Sequence, residues 1–104
     1  MAGVSKESID AIRALDESDR RRSYWHFHWN DKGSDWFFET VDDNGQEWPV
    51  KQLVVEPDGA VSRYWWEHMA DAAGGLGDQA LDPSSPGIEP IDAAAFFERW
   101  AAAG

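Results

Sequence analysis

Cysteine is absent from this 104-residue sequence, which excludes disulfide bonds, thiolate metal sites and cysteine nucleophiles. A chain that needs no covalent staple fits a reducing compartment, and the cytoplasm is the expected location. No run approaches the ~18 apolar residues of a membrane-spanning helix. The N-terminal stretch also lacks the basic start and apolar core of a secretory signal, so neither a membrane nor an export route is expected. The length suits one domain with one core, which is the expected organisation over residues 1–104.

Basic side chains are scarce as well. Nine Lys and Arg face twenty Asp and Glu, for a net charge of −11. Residues 1–24 are balanced, with Lys6, Arg13, Arg20, Arg21 and Arg22 set against Glu7, Asp10, Asp16, Glu17 and Asp19. All the excess negative charge therefore falls in the remainder, where the only basic residues are Lys32, Lys51, Arg63 and Arg99. A field of this sign repels phosphate, which argues against nucleic acid or an anionic membrane as partner and favours encounter with a basic protein. Three adjacent arginines, Arg20 to Arg22, are the exception. Following an acid-rich helix, they are expected to form a solvated helix end beside the C-terminal dipole, since a nucleic-acid footprint needs a broad basic face.

The chain does have strong periodicity. Ile9, Ile12 and Leu15 at three-residue spacing predict an amphipathic helix over about residues 5–19, with Ser5 as N-cap and Val4 and Ile9 as a hydrophobic staple. Strict alternation then predicts a strand over 23–29, with Trp25, Phe27 and Trp29 on one side and Tyr24, His26 and His28 on the other. A second strand is expected over 35–41, with Trp36 and Phe38 opposite Phe37 and Val41. Asn44-Gly45 predicts a type I′ hairpin turn into a third strand over 47–56, in which Pro49 requires an edge or a bulge. The Pro57-Asp58-Gly59 turn leads to a fourth strand over 60–68. Residues 70–90 read as a long loop, pinned by Leu76, Leu81 and Ile88 or else functional. A final helix is predicted over 92–103, with Asp92 as N-cap and Phe96, Phe97 and Trp100 docking on the sheet. The expected fold class is α+β: a four-stranded antiparallel meander flanked by an N-terminal and a C-terminal helix.

Catalytic signals are weak. His26 and His28 share a strand face, with His68 joining them only if the first and fourth strands pair, so surface or interface roles outweigh a metal site. Gly74, Gly75 and Gly77 lack the nearby cation of a phosphate cradle and read as a flexible turn. No Ser–His–Asp or paired-carboxylate arrangement stands out. Neither an enzyme nor a cofactor is therefore expected. The strongest oddity is aromatic: seven Trp, five Phe and two Tyr exceed what one modest core needs. One set is expected to form the core, while Tyr24, Phe37, Tyr64 and Trp66 are expected to be partly exposed unless the N-terminal helix or the loop covers them. Exposed aromatics anchor protein interfaces and also stack on sugars.

The pattern Trp25-His26-Phe27-His28-Trp29, Glu39, Lys51-Gln52-Leu53-Val54-Val55 before Asp58-Gly59, Gly75-Leu76-Gly77-Asp78-Gln79 and Phe96-Phe97-Glu98-Arg99-Trp100 resembles small bacterial proteins akin to the immunity proteins of polymorphic toxin systems. The resemblance spans residues 24–101 and leaves out the N-terminal helix. It implies binding and neutralising a cognate toxin, with no cofactor. Together with the charge, it makes an acidic inhibitor of a basic toxin the first expectation. The expected partner contacts are Asp31, Asp35, Glu39, Asp42, Asp43, Glu47, Tyr64, Trp66 and Glu67. The alternative is a module that binds a small ligand or carbohydrate through exposed aromatics, whose signature would be a concave aromatic pocket.

Overall fold

The computed structural model describes residues 6–77 and 79–103; the expected Ser5 cap and Val4 staple lie outside them, as do Asp78 and Gly104. The chain runs α1 (Lys6–Asp16), β1 (Arg22–Trp29), β2 (Ser34–Asp43), β3 (Gln46–Val55), β4 (Val61–Tyr64), β5 (Ala70–Asp71), β6 (Gly74–Gly75), β7 (Ile88–Pro90) and α2 (Ala93–Ala102). The fold is α+β, with a main antiparallel sheet in the order β4-β3-β2-β1-β7 and a separate β5-β6 hairpin.

The predicted turns form for the reasons their sequences give. Asn44 and Gly45 both take positive φ, 55° and 82°, as a type I′ turn requires. Pro49 sits beside a bulge: Glu39 pairs with Lys51 but Thr40 with Pro49, so Val50 is the extra residue. β4 pairs only with Gln52–Val55, so the missing N–H of Pro49 faces no ladder there.

The bulge also explains why the fourth strand is shorter than expected. Its ladder ends at Tyr64 opposite Gln52, just short of the bulged stretch. The chain then folds back, Trp65 and His68 exchanging backbone hydrogen bonds of 3.2 and 2.9 Å. Two other expectations need correction. The first helix ends at Asp16, not near residue 19. The sheet has five strands rather than four, because the end of the 70–90 segment adds β7 to the open edge of β1 with Phe27 opposite Ile88 and Trp25 opposite Pro90. Three residues ending in proline are too few to carry an alternation signal; the free edge of β1 supplies the template.

Both helices cover the same face. On β1, β2 and β3 the register aligns Tyr24 with Glu39 and Lys51, and His26 with Phe37 and Leu53. Phe96 of α2 is fully buried against Phe37 and Leu53, with Tyr24, Val55, Ile91 and Trp100 packed around them. Ile91, just before α2, thus joins the core, although the Asp92 side chain makes no cap hydrogen bond. Phe97 lies at the margin, with its ring edge-on to Tyr24 at 5.7 Å.

α1 buries no residue and is tied down by charge instead. Asp16 accepts from Arg22 at 3.0 Å and from Lys51 at 2.8 Å, and both cations reach the buried Glu39, at 3.2 and 2.8 Å. Tyr24 donates to the other Glu39 oxygen at 2.7 Å. Burial first, then this hydrogen bond, pushes the Tyr24 phenol well above its ordinary pKa, so it remains the donor.

Candidate functional site on the aromatic face of the sheet

The face away from the helices carries Trp25, Phe27 and Trp29 of β1, aligned in register with Phe38, Trp36 and Ser34 of β2. Val54 and Gln52 of β3 and Ser62 and Tyr64 of β4 continue it. No helix packs here. The 70–90 segment crosses instead, and three polar ties hold it. Tyr64 donates its hydroxyl to Asp71 at 2.9 Å, Gln52 accepts the Gly77 N–H at 2.9 Å, and Leu81 donates its N–H to the Glu47 carbonyl at 2.7 Å.

Between these ties the cover is incomplete and leaves two adjoining hollows that share Trp29 and Trp36. The larger, about 420 Å³, is apolar, with Phe27 and Phe38 on the sheet and Leu81, Pro86 and Ile88 on the crossing segment. The smaller, about 110 Å³, is half polar, bringing Lys32, Ser34, Gln52, Glu56, Ser62 and Tyr64 around the same tryptophans beneath the β5-β6 hairpin. Trp29 and Trp36 meet edge to face at 5.6 Å. Among the described residues, Trp36 Nε1 is the only buried side-chain nitrogen or oxygen without a hydrogen-bond partner, a state that costs free energy until something accepts from it.

The nine residues expected to meet a protein partner are placed quite differently. Glu39, Glu47 and Tyr64 are 1, 7 and 1% exposed, so none of them offers a surface contact. Glu39 is enclosed by its cations. Glu47 accepts from the Thr40 hydroxyl at 2.7 Å and pairs with Arg21 at 3.3 Å. Tyr64 lies under the hairpin, stacked on His68. Asp42 and Asp43 are half-buried and face Arg21 and Arg20 at 3.9 and 3.4 Å. The arginine triplet lies beyond the end of α1 and pairs with carboxylates of the sheet, Arg20 and Arg21 remaining solvated and Arg22 half-buried. Asp35 is half-buried between His26 and His28, and Trp66 lies under the Arg13 guanidinium, 4.5 Å from its ring centroid. Asp31 and Glu67 alone of the nine are exposed.

One of the other expected exposures is also reversed. Phe37 is buried in the core under α2, whereas Tyr24 stays partly exposed while packing against it, and Trp29 and Trp36 also border open space. Parity within β1 and β2 separates the two faces, but the set expected to be exposed joins Tyr24 and Phe37 of one face to Tyr64 of the other. Parity does not show that both helices choose one face, and that choice decides which set is core.

His26 and His28 reach the same Asp35 oxygen, at 2.8 and 2.9 Å. These contacts, His26 first, hold the Asp35 carboxyl below its ordinary pKa. His68 is elsewhere, 3.2 Å from Asp71, because β4 and β1 are separated by two strands. Among the described residues, no three His, Cys, Asp or Glu side chains are placed to hold a metal ion. No described helix is long and apolar enough to cross a membrane.

Fold and site together define a small α+β domain with a partly covered aromatic sheet face. Comparison with family models, curated proteins and solved structures finds no match for this chain.

Proposed function

We propose that this domain is a non-catalytic binding module that takes a small ligand on its aromatic sheet face. The observation that carries the proposal is the pair of adjoining hollows sharing Trp29 and Trp36, one apolar and one half polar. A concavity of this kind, apolar walls with a few convergent polar groups, is the usual form of a small-molecule site. Ser34, Gln52, Glu56 and Ser62 supply the polar groups, and the buried indole N–H of Trp36 lacks an acceptor.

The test is a ligand panel of glycans and metabolites followed through the indole N–H resonances of ¹⁵N-labelled protein. Ligands of this face shift Trp29 and Trp36 and leave Trp48 and Trp100, which lie off it, unmoved. A panel that moves none of the seven indole signals, or moves them all alike, removes the proposal.

A second reading is an acidic, immunity-like inhibitor of a basic toxin. It draws support from the net charge of −11 and from exposed Asp31 and Glu67. Its test is capture of a neighbouring gene's product at low salt; no retained partner and no toxin-like neighbour would end it.

A further inference from the structure

We propose that the smaller hollow is a site for an organic cation, an alkylammonium head group, held by Trp29, Trp36 and Tyr64 with Glu56 as its counter-charge. The assignment rests on the reading of this face as a ligand surface and names the chemistry of what enters. Rings from three different strands line one space with a carboxylate. That is the arrangement that favours a desolvated cation, which is drawn to the negative ring faces and to the anion together.

The chain's own charges support this. Glu56 turns one oxygen to the Ser34 hydroxyl at 2.7 Å but forms no ion pair with any described basic side chain, although most carboxylates on the sheet have such a partner. Its carboxylate thus lines the hollow without a direct ion pair among the described residues. Lys32, equally without a carboxylate partner among the described residues, rests its ammonium 4.8 Å from the centroid of the Trp29 ring. A cation is therefore already seated on one wall, supplied by an exposed loop residue that can withdraw into water.

Size narrows the class further. At 110 Å³ the hollow is smaller than a ~150 Å³ cavity that accepts benzene. It suits a small methylated ammonium head. Any apolar substituent on that head would lie against Phe27 and Phe38 in the adjoining hollow.

The experiment titrates choline, and separately its neutral carbon isostere 3,3-dimethylbutan-1-ol, into wild-type protein, Glu56→Gln and Lys32→Ala, reading the Trp29 and Trp36 indole resonances. Choline is expected to bind about tenfold more tightly than the isostere, and Glu56→Gln is expected to erase most of that difference. Lys32→Ala is expected to strengthen choline binding a few-fold, by removing the resident ammonium. Equal affinity for choline and the isostere overturns the cation assignment while leaving a ligand face in place. Silence towards choline in both wild type and Lys32→Ala also overturns it, and the wider panel then decides the fate of the face itself. Because Lys32 is an exposed loop residue, its variant remains informative if Glu56→Gln, through loss of the Ser34 contact, proves unstable.

Discussion

Glu39 offers the sharpest test of what ties the first helix to the sheet. It is 1% exposed and sits among Arg22, Lys51 and the Tyr24 hydroxyl, with Asp16 completing the group from α1. The cluster contains two cations and two anions, so it is neutral as built. Glu39→Gln keeps the shape and leaves one positive charge in excess. Removing one member of a buried ionic group typically costs about 3 to 5 kcal/mol, but Lys51 and Arg22 retain 18 and 24% side-chain exposure and water will screen part of the excess. The expected loss is therefore about 3 kcal/mol. For a chain of this length it lowers the thermal midpoint by roughly 4 to 8 °C for each kcal/mol. The double variant Glu39→Leu with Lys51→Met keeps the cluster neutral, leaves the Asp16–Arg22 pair intact, and is expected to recover most of the loss. Urea unfolding of the three proteins checks both claims. A Glu39→Gln variant within about 0.5 kcal/mol of wild type, or a double variant no better than the single, would refute the charge-balance argument.

Two further outcomes follow from local geometry. Gly87 has a φ of 86°, and a Cβ there would lie 3.1 Å from the Phe27 ring; Gly87→Ala is expected to lower stability by about 1 kcal/mol or more and to loosen the turn into β7, seen as faster exchange of the Ile88 amide, which donates to the Ser85 carbonyl. Asp35 has a folded-state pKa below its ordinary 3.8, so its contribution to stability is present above that value and fades as pH falls through the lowered one. Asp35→Asn should therefore flatten the acid limb of the stability profile below about pH 4; an unchanged limb would show that His26 and His28 do not stabilise the carboxylate in solution.

Much of the fold is legible because β1 alternates strictly, β2 and β3 are rich in aromatic and β-branched residues, and their turns carry specific chemistry. Asn44-Gly45 commits the second hairpin, and Pro49 announces an irregularity that appears as the Val50 bulge. What the sequence hides is long-range. β7 is three residues whose pairing is dictated by the free edge of β1, and β4 stops where the bulge begins, neither of which leaves a periodic trace. The acidic residues mislead for a related reason. Asp42, Asp43, Glu39 and Glu47 look like a surface field when counted along the chain, and only the approach of Arg20, Arg21 and Arg22 from before β1 shows that they are internally matched. The aromatic site was half visible: Trp29 and Trp36 share parity with their neighbours, but Ser34, Glu56 and Lys32 come from turns and strand ends whose convergence no spacing rule predicts.

The hollows raise the question of whether the aromatic face is simply badly packed, and a cavity-filling exchange separates the alternatives. Val54 lies on this face between Trp36 and Ser62 in the register and lines the smaller hollow, half-buried. Val54→Ile keeps the β-branch that suits a strand and adds one methylene directed by its neighbours into the space. If the space is empty volume, the added group gains about 0.5 to 0.8 kcal/mol of burial, and thermal unfolding should register a rise of a few degrees. A natural chain leaves such a gain unused where occupying the space would interfere with function, because residues that serve binding are not selected for stability alone. The ligand reading therefore expects both results in one variant: a more stable fold, and a smaller shift of the Trp36 indole resonance at a given concentration of whichever compound binds the wild type. Higher stability with unchanged binding would place the ligand outside the smaller hollow. Lower stability would mean that the space closes in solution, and with it the argument that this face is built to receive anything.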